Sequence, residues 1–291
     1  MMKVASLFDP WKSSLCTCPP KYSLSPYTAC NHGCQYCYIS SYVPRAFESR
    51  VKEDFLKRLQ SDLPLLERNR VVSIANSSDP YVSLEVAEKL TRSTLELLLN
   101  HGLMVQIITK SDLIIRDLDI LRKGKCCVNI TITTINDALA EDLEPGAPPP
   151  SKRLAALKKL TDADIPCSVR IDPLIPRINE KDIGQVVEAV SKCGASHVTG
   201  STYKARPDNF HRVTETFPET REELTNLYRQ GSKVHSTSYL PKTLRVKILT
   251  ELREMVLRNG MTFAVCREGL PDLNSKGTNC DGTHLIHRAS E

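Results

Sequence analysis

Three cysteines in one short segment are the residues of this chain best suited to metal chemistry. Cys30, Cys34 and Cys37 lie in the run SPYTACNHGCQYCYI and follow the spacing C-x3-C-x2-C. Three thiolates this close in sequence form a ligand set for one metal centre. On a [4Fe–4S] cluster they would leave one iron without a protein ligand, and a small molecule can bind there. The same residues also suit a zinc knuckle that lacks its fourth ligand, although zinc sites usually show paired C-x2-C spacing.

Composition favours an intracellular enzyme over a secreted or membrane protein. The chain has 291 residues, with neither an apolar leader near Met1 nor a long apolar run, so we expect a cytoplasmic protein that does not contact a membrane. Its eleven cysteines then favour metal or redox chemistry over a disulfide framework. The net charge of +5 permits an anionic partner such as nucleic acid but does not by itself indicate one.

Short apolar runs alternate with segments of helical period, which is the pattern of an α/β fold. We predict six strands, namely Tyr22–Ser25, Val71–Ala75, Met104–Thr109, Val128–Thr133, Cys167–Ile171 and His197–Ser201. Helical segments between them, such as the one with Ile183, Val187 and Val190 on one face, imply parallel strands joined by right-handed crossovers. Six such units form an open or partial barrel rather than a closed eight-stranded one.

The same pattern divides the chain into three parts. We predict an N-terminal extension over 1–20, a barrel over 21–205, and a helical and loop C-terminal extension over 206–291 that covers the barrel. Within the last part, Met261–Val265 has the character of a short strand. The proline-rich run Leu143–Leu154 is predicted to be an ordered surface loop of the fourth crossover, near the site.

Polar side chains follow the predicted strands at the rim where barrel enzymes collect their chemistry. The candidates for binding a ligand are Ser77, Ser78, Asp79, Lys110, Thr131, Thr133, Arg170, Asp172 and Ser201. Such residues are also common in turns and helix caps, and Asp79 could simply start a helix. Polar ends on five strands of one rim nevertheless favour a ligand site. Arg170 alternates with core positions, so its side chain should point into the barrel and needs an anionic or polar partner.

The cysteine run resembles the signature of the radical S-adenosylmethionine superfamily. The resemblance implies a partial (βα)6 barrel, a [4Fe–4S] cluster on the three cysteines, and S-adenosylmethionine on the open iron. In that superfamily the aromatic residue before the third cysteine lies near the adenine, which would be Tyr36 here. The reduced cluster cleaves the cofactor to a 5′-deoxyadenosyl radical that abstracts hydrogen from a substrate. An electron donor such as ferredoxin or flavodoxin is therefore an expected partner, and we expect the enzyme to be oxygen-sensitive.

Further motifs narrow the resemblance to one branch. The glycine-rich run that often holds the cofactor amine is absent, and NSSDPY stands in its place. Together with TKSD and RIDP, this run resembles the spore photoproduct lyase-related family over about Tyr22–Lys204. In that family Ser and Lys residues at strand ends bind the cofactor, which implies Ser77 or Ser78 and Lys110. By charge, Lys110 suits the cofactor carboxylate, and Asp79, Ser77 or Ser78 suits its ammonium group.

Three classes of function stay open from the sequence. The resemblance and the mild positive charge favour nucleic-acid repair or modification of the spore photoproduct type. The lack of an appended nucleic-acid-binding module favours a protein, a peptide or a small metabolite as substrate. A non-catalytic scaffold that binds an iron–sulfur cluster or zinc is the third class. For a catalytic protein, we expect Tyr203, Lys204 and Arg206 to hold the substrate over the rim.

Four further cysteines lie in polar loops near the two chain ends, and they are Cys16, Cys18, Cys266 and Cys280. Four loop thiolates can form a second iron–sulfur cluster or a zinc site, and the alternative is four independent thiols. Geometry raises an objection, because Cys18 precedes the first strand whereas Cys30 follows it, about 16 Å away at ~3.3 Å per residue. If Met261–Val265 runs parallel to the barrel strands, Cys266 emerges at the same end of the barrel as Cys30 and not at the Cys18 end. A joint site then requires either that the N-terminal segment folds back along the barrel or that the last strand is antiparallel.

Overall fold

The computed structural model describes residues 3–8 and 15–288, except for the side chains of 287 and 288. Its strands are, in chain order, β1 (Ser6–Leu7), β2 (Tyr22–Leu24), β3 (Tyr27–Thr28), β4 (Arg50–Val51), β5 (Val72–Ile74), β6 (Val105–Thr109), β7 (Cys126–Thr131), β8 (Cys167–Leu174), β9 (His197–Thr202), β10 (Ser232–Val234), β11 (Thr237–Tyr239) and β12 (Thr262–Val265).

The helices lie mainly in the connections between these strands. They are α1 (Phe55–Asp62), α2 (Glu85–Glu88), α3 (Leu90–Asn100), α4 (Leu118–Leu121), α5 (Asp137–Leu143), α6 (Pro150–Thr161), α7 (Ile183–Lys192), α8 (Pro207–Thr216), α9 (Arg221–Arg229), α10 (Lys242–Arg258) and α11 (His284–Arg288). No helix in the described ranges is long and apolar enough to cross a membrane.

One eight-stranded sheet organises the fold, with the strand order β1-β2-β5-β6-β7-β8-β9-β12. The six predicted strands correspond to β2, β5, β6, β7, β8 and β9, and each pairs in parallel with its neighbour. The predicted partial α/β barrel is therefore confirmed. The C-terminal extension adds β12 to the same sheet, parallel to β9, and β1 pairs antiparallel with β2.

The main apolar core contains outward-facing strand residues and the apolar faces of the crossover helices. In β5, Val72 and Ile74 are fully buried in this core, as are Leu95 and Leu98 of α3. Alternation along a strand then turns the remaining side chains to the inner face of the sheet. There Ser73 of β5 donates a hydrogen bond of 2.7 Å to Gln106 Oε1 of β6. The parallel strands thus have an apolar outer face and a polar inner face.

The C-terminal segment fills the inside of this sheet. Gln106 and Asn129 both donate side-chain hydrogen bonds to the backbone carbonyl of Asp281. Thr199 Oγ1 of β9 donates to the carbonyl of Cys280 at 3.0 Å. A small apolar cluster lies beside this polar layer and consists of Val71, Met104, Cys127, Leu285 and Ile286.

Several predicted boundaries differ from the structure by one to three residues, and two of the differences have a clear physical cause. The fourth strand is β7, which starts two residues earlier than predicted because Cys126 and Cys127 are buried like small apolar residues. The proline-rich run is only partly a loop, since α6 begins at Pro150. Proline suits this first helical position, where its missing N–H costs no intrahelical bond.

Candidate active site

The loop that carries the three cysteines is held by backbone hydrogen bonds to distant segments. The Cys30 amide donates to the carbonyl of Ala46 at 3.0 Å, and the Gln35 amide donates to the carbonyl of Leu143 at 2.9 Å. Within the loop, the Cys37 amide donates to the carbonyl of Cys34 at 3.0 Å. The loop can therefore present its thiols in one arrangement.

Helix α8 supports the same loop from another side. Arg212 donates to the carbonyl of Cys37 at 2.6 Å and to that of Gln35 at 3.2 Å. Asn209 donates to the carbonyl of Tyr36 at 3.0 Å. The first helix beyond the sixth barrel strand thus fixes the backbone around the third cysteine.

The proline-rich run packs one side against the cysteine loop while part of it stays exposed. The Gly146 amide donates to the carbonyl of His32 at 2.8 Å. A Cβ at Gly146 would lie 2.2 Å from the carbonyl oxygen of Asn31, so only glycine fits this close approach. Pro145 and Gly146 are nevertheless exposed, as expected of a surface loop, and the loop lies next to the cysteines as predicted.

Glu144 is a buried charge in this run that the sequence did not reveal. It accepts hydrogen bonds from the hydroxyls of Tyr36 and Thr133, the latter at 2.9 Å, and it forms an ion pair with Arg153. Burial alone would raise the pKa of Glu144, but Arg153 and Lys110 outweigh burial and hold that pKa at about 2. Glu144 is therefore ionised, and its carboxylate holds the Tyr36 hydroxyl.

One cavity of about 480 Å³ joins the three thiols to the polar strand ends. Nine of the ten residues predicted to bind the cofactor line this cavity, namely Tyr36, Ser77, Ser78, Asp79, Lys110, Thr131, Arg170, Asp172 and Ser201. The tenth, Thr133, does not line it, because its buried hydroxyl binds Glu144 instead. The volume lies in the range typical of small-molecule sites, about 300–1,000 Å³.

Lys110 presents an ammonium group to this cavity. Its Nζ lies 5.5 Å from the centre of the Tyr36 ring, and within the described residues no hydrogen-bond acceptor is recorded for it. Burial would lower the pKa of Lys110, but Cys34 and Glu144 outweigh burial, and the pKa is raised. Lys110 is thus a cation next to the predicted adenine-contacting residue, with hydrogen-bonding capacity for an anionic ligand.

Asp79 is occupied by protein donors. Its carboxylate accepts hydrogen bonds from the amides of Tyr81 and Lys110, at 2.9 and 2.7 Å, and from the hydroxyl of Thr109 at 2.8 Å. The buried His32 ring also lies 3.6 Å away. Burial lowers the pKa of His32. Asp79 therefore orders the strand end that carries Lys110, and it has less capacity for a ligand ammonium than a free carboxylate.

The Arg170 side chain points into the cavity, as its alternation in β8 predicted. It donates to Asp172 at 2.5 Å and also hydrogen-bonds the thiol of Cys266. Ser201 lies beside them, and its hydroxyl donates to the buried carboxylate of Glu268 at 3.1 Å. Sequence reasoning found Arg170 and Ser201 but missed Glu268, which follows the last strand in an ordinary polar turn.

Glu268 also forms an ion pair with Lys204, one of the residues predicted to hold a substrate. Lys204 Nζ lies 2.9 Å from Glu268 Oε1, and Arg245 pairs with the same carboxylate at 3.1 Å. The Tyr203 hydroxyl donates to Asn209 at 2.7 Å. All three predicted rim residues, Tyr203, Lys204 and Arg206, line the cavity. The first two also hold the rim together.

The structure brings the four end cysteines into the same cavity. Cys18 Sγ and Cys280 Sγ are 3.4 Å apart, and Cys16 and Cys266 also line the cavity. The last strand, β12, is parallel to β9, so the second of the two conditions is not the one met. The first is met by residues 15–20, which place Cys16 and Cys18 in the same cavity as Cys266.

The three thiols of the loop fit a cubane cluster. Within residues 3–8 and 15–288, no three Cys, His, Asp or Glu side chains are disposed to hold a single ion. A cubane needs a different arrangement, because each cysteine binds a different iron. Three thiols on one fixed loop that face one cavity provide it, and the cavity gives a ligand access to the fourth iron.

Comparison with known proteins identifies the class. The Radical SAM superfamily matches residues 24–190, which is more than half of the 291 residues, so the chain belongs to this superfamily of S-adenosylmethionine-dependent radical enzymes. The match begins within β2 and includes all three loop cysteines. The superfamily predicted from C-x3-C-x2-C is confirmed.

Individual relatives and solved structures are similar to this chain in sequence and fold, and they do not identify its reaction. Uncharacterised proteins of Methanocaldococcus jannaschii and Mycobacterium bovis are 28% and 24% identical; the alignments cover 71% and 82% of this chain and 80% and 75% of theirs. A structure of spore photoproduct lyase with dinucleoside spore photoproduct aligns with a TM-score of 0.65 at 18% identity, covering 84% of this chain and 76% of that one. Streptococcus suis SuiB aligns with a TM-score of 0.53 at 15% identity, covering 83% and 47%. The fold similarity agrees with the branch that the motifs predicted.

Proposed function

We propose that this chain is a catalytic radical enzyme whose Cys30, Cys34 and Cys37 hold a [4Fe–4S] cluster. The observation that carries the proposal is the single cavity shared by these thiols and the polar strand ends. When bound, the reduced cluster supplies the electron that cleaves S-adenosylmethionine to methionine and a 5′-deoxyadenosyl radical, which abstracts hydrogen from the substrate.

The residues around the thiols would orient the cofactor. Lys110 would bind its carboxylate, since this ammonium faces the cavity beside Tyr36. Ser77 or Ser78 would meet its ammonium group, because Asp79 is already occupied by protein donors. Tyr36, whose hydroxyl is held by Glu144, would lie near the adenine.

An anionic substrate is favoured by the charge of the cavity wall. Six Lys or Arg side chains and three Asp side chains line the cavity, and Lys21, Arg170 and Lys204 among them are already paired with Asp281, Asp172 and Glu268. Nucleic-acid repair or modification of the spore photoproduct type fits this charge and the fold similarity to the spore photoproduct lyase complexed with dinucleoside spore photoproduct. We further propose that the protein acts in the cytoplasm and receives electrons from a ferredoxin or flavodoxin.

The decisive test is anaerobic. Reconstituted and reduced wild-type protein should convert S-adenosylmethionine to 5′-deoxyadenosine and methionine, measured by chromatography and mass spectrometry. Cys34→Ala should lose the cluster and this activity, whereas Cys193→Ala, at the end of α7 and outside the cavity, should retain both. A wild-type protein with full iron content that forms no 5′-deoxyadenosine would support the non-catalytic scaffold instead.

Lys110→Met tests the assigned cofactor contact separately. A lost hydrogen bond to a charged group is worth about 1.5–3 kcal/mol, so the KM for S-adenosylmethionine should rise about 10- to 100-fold with the iron content unchanged. The exposed Lys123→Met serves as the matched control.

A separate measurement tests the substrate class. For a nucleic-acid substrate, binding of the protein to single-stranded DNA should weaken steeply with salt. A salt-independent affinity would argue for a neutral substrate.

A further inference from the structure

We propose that Cys16, Cys18, Cys266 and Cys280 form a second metal site, which binds one thiophilic ion, zinc or iron, through four thiolates. The site is separate from the radical cluster and uses none of its ligands. It is built from both ends of the chain, since 262 positions separate Cys18 from Cys280.

The four thiols lie together in one part of the cavity. Cys18 Sγ lies 3.4 Å from Cys280 Sγ, and Cys16 and Cys266 are close enough to interact electrostatically with this pair. Around a tetrahedral ion with metal–sulfur distances of ~2.3 Å, neighbouring sulfurs lie about 3.8 Å apart. The central pair already has nearly this spacing, which suits a single ion better than a cubane, whose cysteines bind different irons.

Movement of side chains is needed to complete the site. No three of the thiols in the described residues are placed as ligands of one ion. The central thiols, Cys18 and Cys280, are already in contact. Metal binding would draw Cys16 and Cys266 toward that pair.

Two cations lie beside the four thiols, each of them also paired with an aspartate. Four thiolates around a divalent ion carry a net charge of −2. Lys21, which pairs with Asp281 at 2.6 Å, lies close enough to Cys18 and Cys280 to interact with their charge. Arg170 is hydrogen-bonded to the Cys266 thiol. Outer groups of this kind orient metal ligands and stabilise their ionised form.

The other cysteines provide an internal contrast. Cys126 and Cys167 lie on strands and pack in the main apolar core, and Cys127 packs in the smaller apolar cluster. None of these three lines the cavity. They have the environment of structural thiols, whereas the four end cysteines share a cavity wall with charged residues.

A metal at this position would connect three parts of the molecule. It would tie the N-terminal segment and the C-terminal segment to the turn after β12. It would also border the reaction cavity through Arg170, which contacts both Cys266 and Asp172. The second site would therefore help to position a residue of the first one.

The test measures the metal content of a variant that cannot bind the radical cluster. The full chain with Cys30, Cys34 and Cys37 all changed to Ala should retain about one zinc or iron per chain, measured by elemental analysis. X-ray absorption should show about four sulfur neighbours at ~2.3 Å. Adding Cys280→Ala should remove this metal, whereas adding Cys193→Ala should not.

Several results would overturn the proposal. One is a triple variant that holds no metal, and another is a disulfide between Cys18 and Cys280 found by mass spectrometry of the unreduced protein. Recovery of about four additional irons with sulfide per wild-type chain would replace the single ion with a second cluster.

A second measurement guards against misfolded variants. In the folded wild-type protein, alkylation of the four end cysteines should require a chelator, whereas Cys193 should react without one. Cys266→His offers a rescue, since histidine also binds zinc, and this variant should retain the metal that Cys266→Ala loses. Equal alkylation with and without chelator would count against the site.

Discussion

The two groups of cysteines are gathered in opposite ways. The triplet occupies a single loop, whose backbone donates hydrogen bonds to the carbonyls of Ala46 and Leu143 and accepts them from helix α8. The second group comes from both chain ends and is positioned by side chains inside the sheet. A local ligand set thus depends on a few backbone contacts around one loop, whereas the distant set depends on the assembly of the whole barrel.

The largest effect specific to the second group is expected for Lys21→Met. This change leaves Asp281 as a buried charge without its partner, which should cost about 3–5 kcal/mol in the free energy of unfolding. The C-terminal segment should loosen and the proposed second metal should be lost, while iron on the triplet is retained. Chemical denaturation and metal analysis would measure the two effects.

A matched control is Lys158→Met, which removes an exposed ion pair of α6 with Asp162. It should change the free energy of unfolding by less than about 0.5 kcal/mol. If Lys21→Met lowered the triplet iron as much as the second metal, the two groups would not be structurally separate.

A smaller effect, on the triplet and not on the second group, is expected for Gly146→Ala. The added Cβ would collide with the backbone of Asn31 and push the proline-rich run away from the cysteine loop. Overpacking of this kind costs about 1–3 kcal/mol. Iron on the triplet should be lost faster in air, followed by absorbance, with the second metal unchanged.

Gly184→Ala in α7 is the control for this change. Its Cβ would meet only Met255 Sδ at 3.8 Å, which is ordinary contact, and alanine favours the helix. Wild-type cluster stability in Gly146→Ala would show that this contact does not fix the loop.

The smallest effect is expected for Asp62→Asn, which tests how the N-terminal segment is held. Asp62 accepts backbone hydrogen bonds from Lys3, Val4 and Ala5 at 2.8–3.0 Å. Removing the charge should cost about 1–2 kcal/mol, because hydrogen bonds to a charged group are stronger than neutral ones. The proposed second metal should dissociate faster, since this segment leads to Cys16 and Cys18.

The pH dependence of the same contact has a definite sign. Burial would raise the pKa of Asp62, but the three backbone N–H groups outweigh burial and lower it. The stabilisation is therefore complete above the ordinary value of 3.8 and is lost as the pH falls through the lower folded-state pKa. Asp62→Asn should abolish this part of the acid dependence of unfolding. Asp164→Asn, at an exposed position whose φ of +59° suits asparagine, should leave it intact.

Much of the fold could be predicted because its signals are local. Apolar runs marked the six parallel strands, and polar residues after them had to meet at one rim once the strands were parallel. Glu144 and Glu268 could not be predicted in the same way. Tyr36 and Ser201, their hydroxyl partners, are 108 and 67 positions away, and no local pattern marks a glutamate in a turn as buried.

The second cysteine group shows where sequence reasoning reaches its limit. Residue type and loop character were enough to select Cys16, Cys18, Cys266 and Cys280. Strand direction then argued against their meeting. The placement of residues 15–20 in the cavity, where Cys18 contacts Cys280 from 262 positions later in the chain, removes that objection.

The filling of the sheet by its C-terminal segment constrains the order of folding. Lys21, at the start of the barrel, can form its ion pair only after Asp281, 260 positions later, has been synthesised. The side-chain hydrogen bonds of Gln106 and Asn129 to the Asp281 carbonyl have the same requirement. Until then, a nascent chain with all its strands still has polar groups inside the sheet without their final partners. Contacts this distant slow folding and lengthen the time during which strands are exposed to aggregation. Production at low temperature, or with chaperones, should therefore raise the yield of this protein more than that of a barrel closed by local contacts.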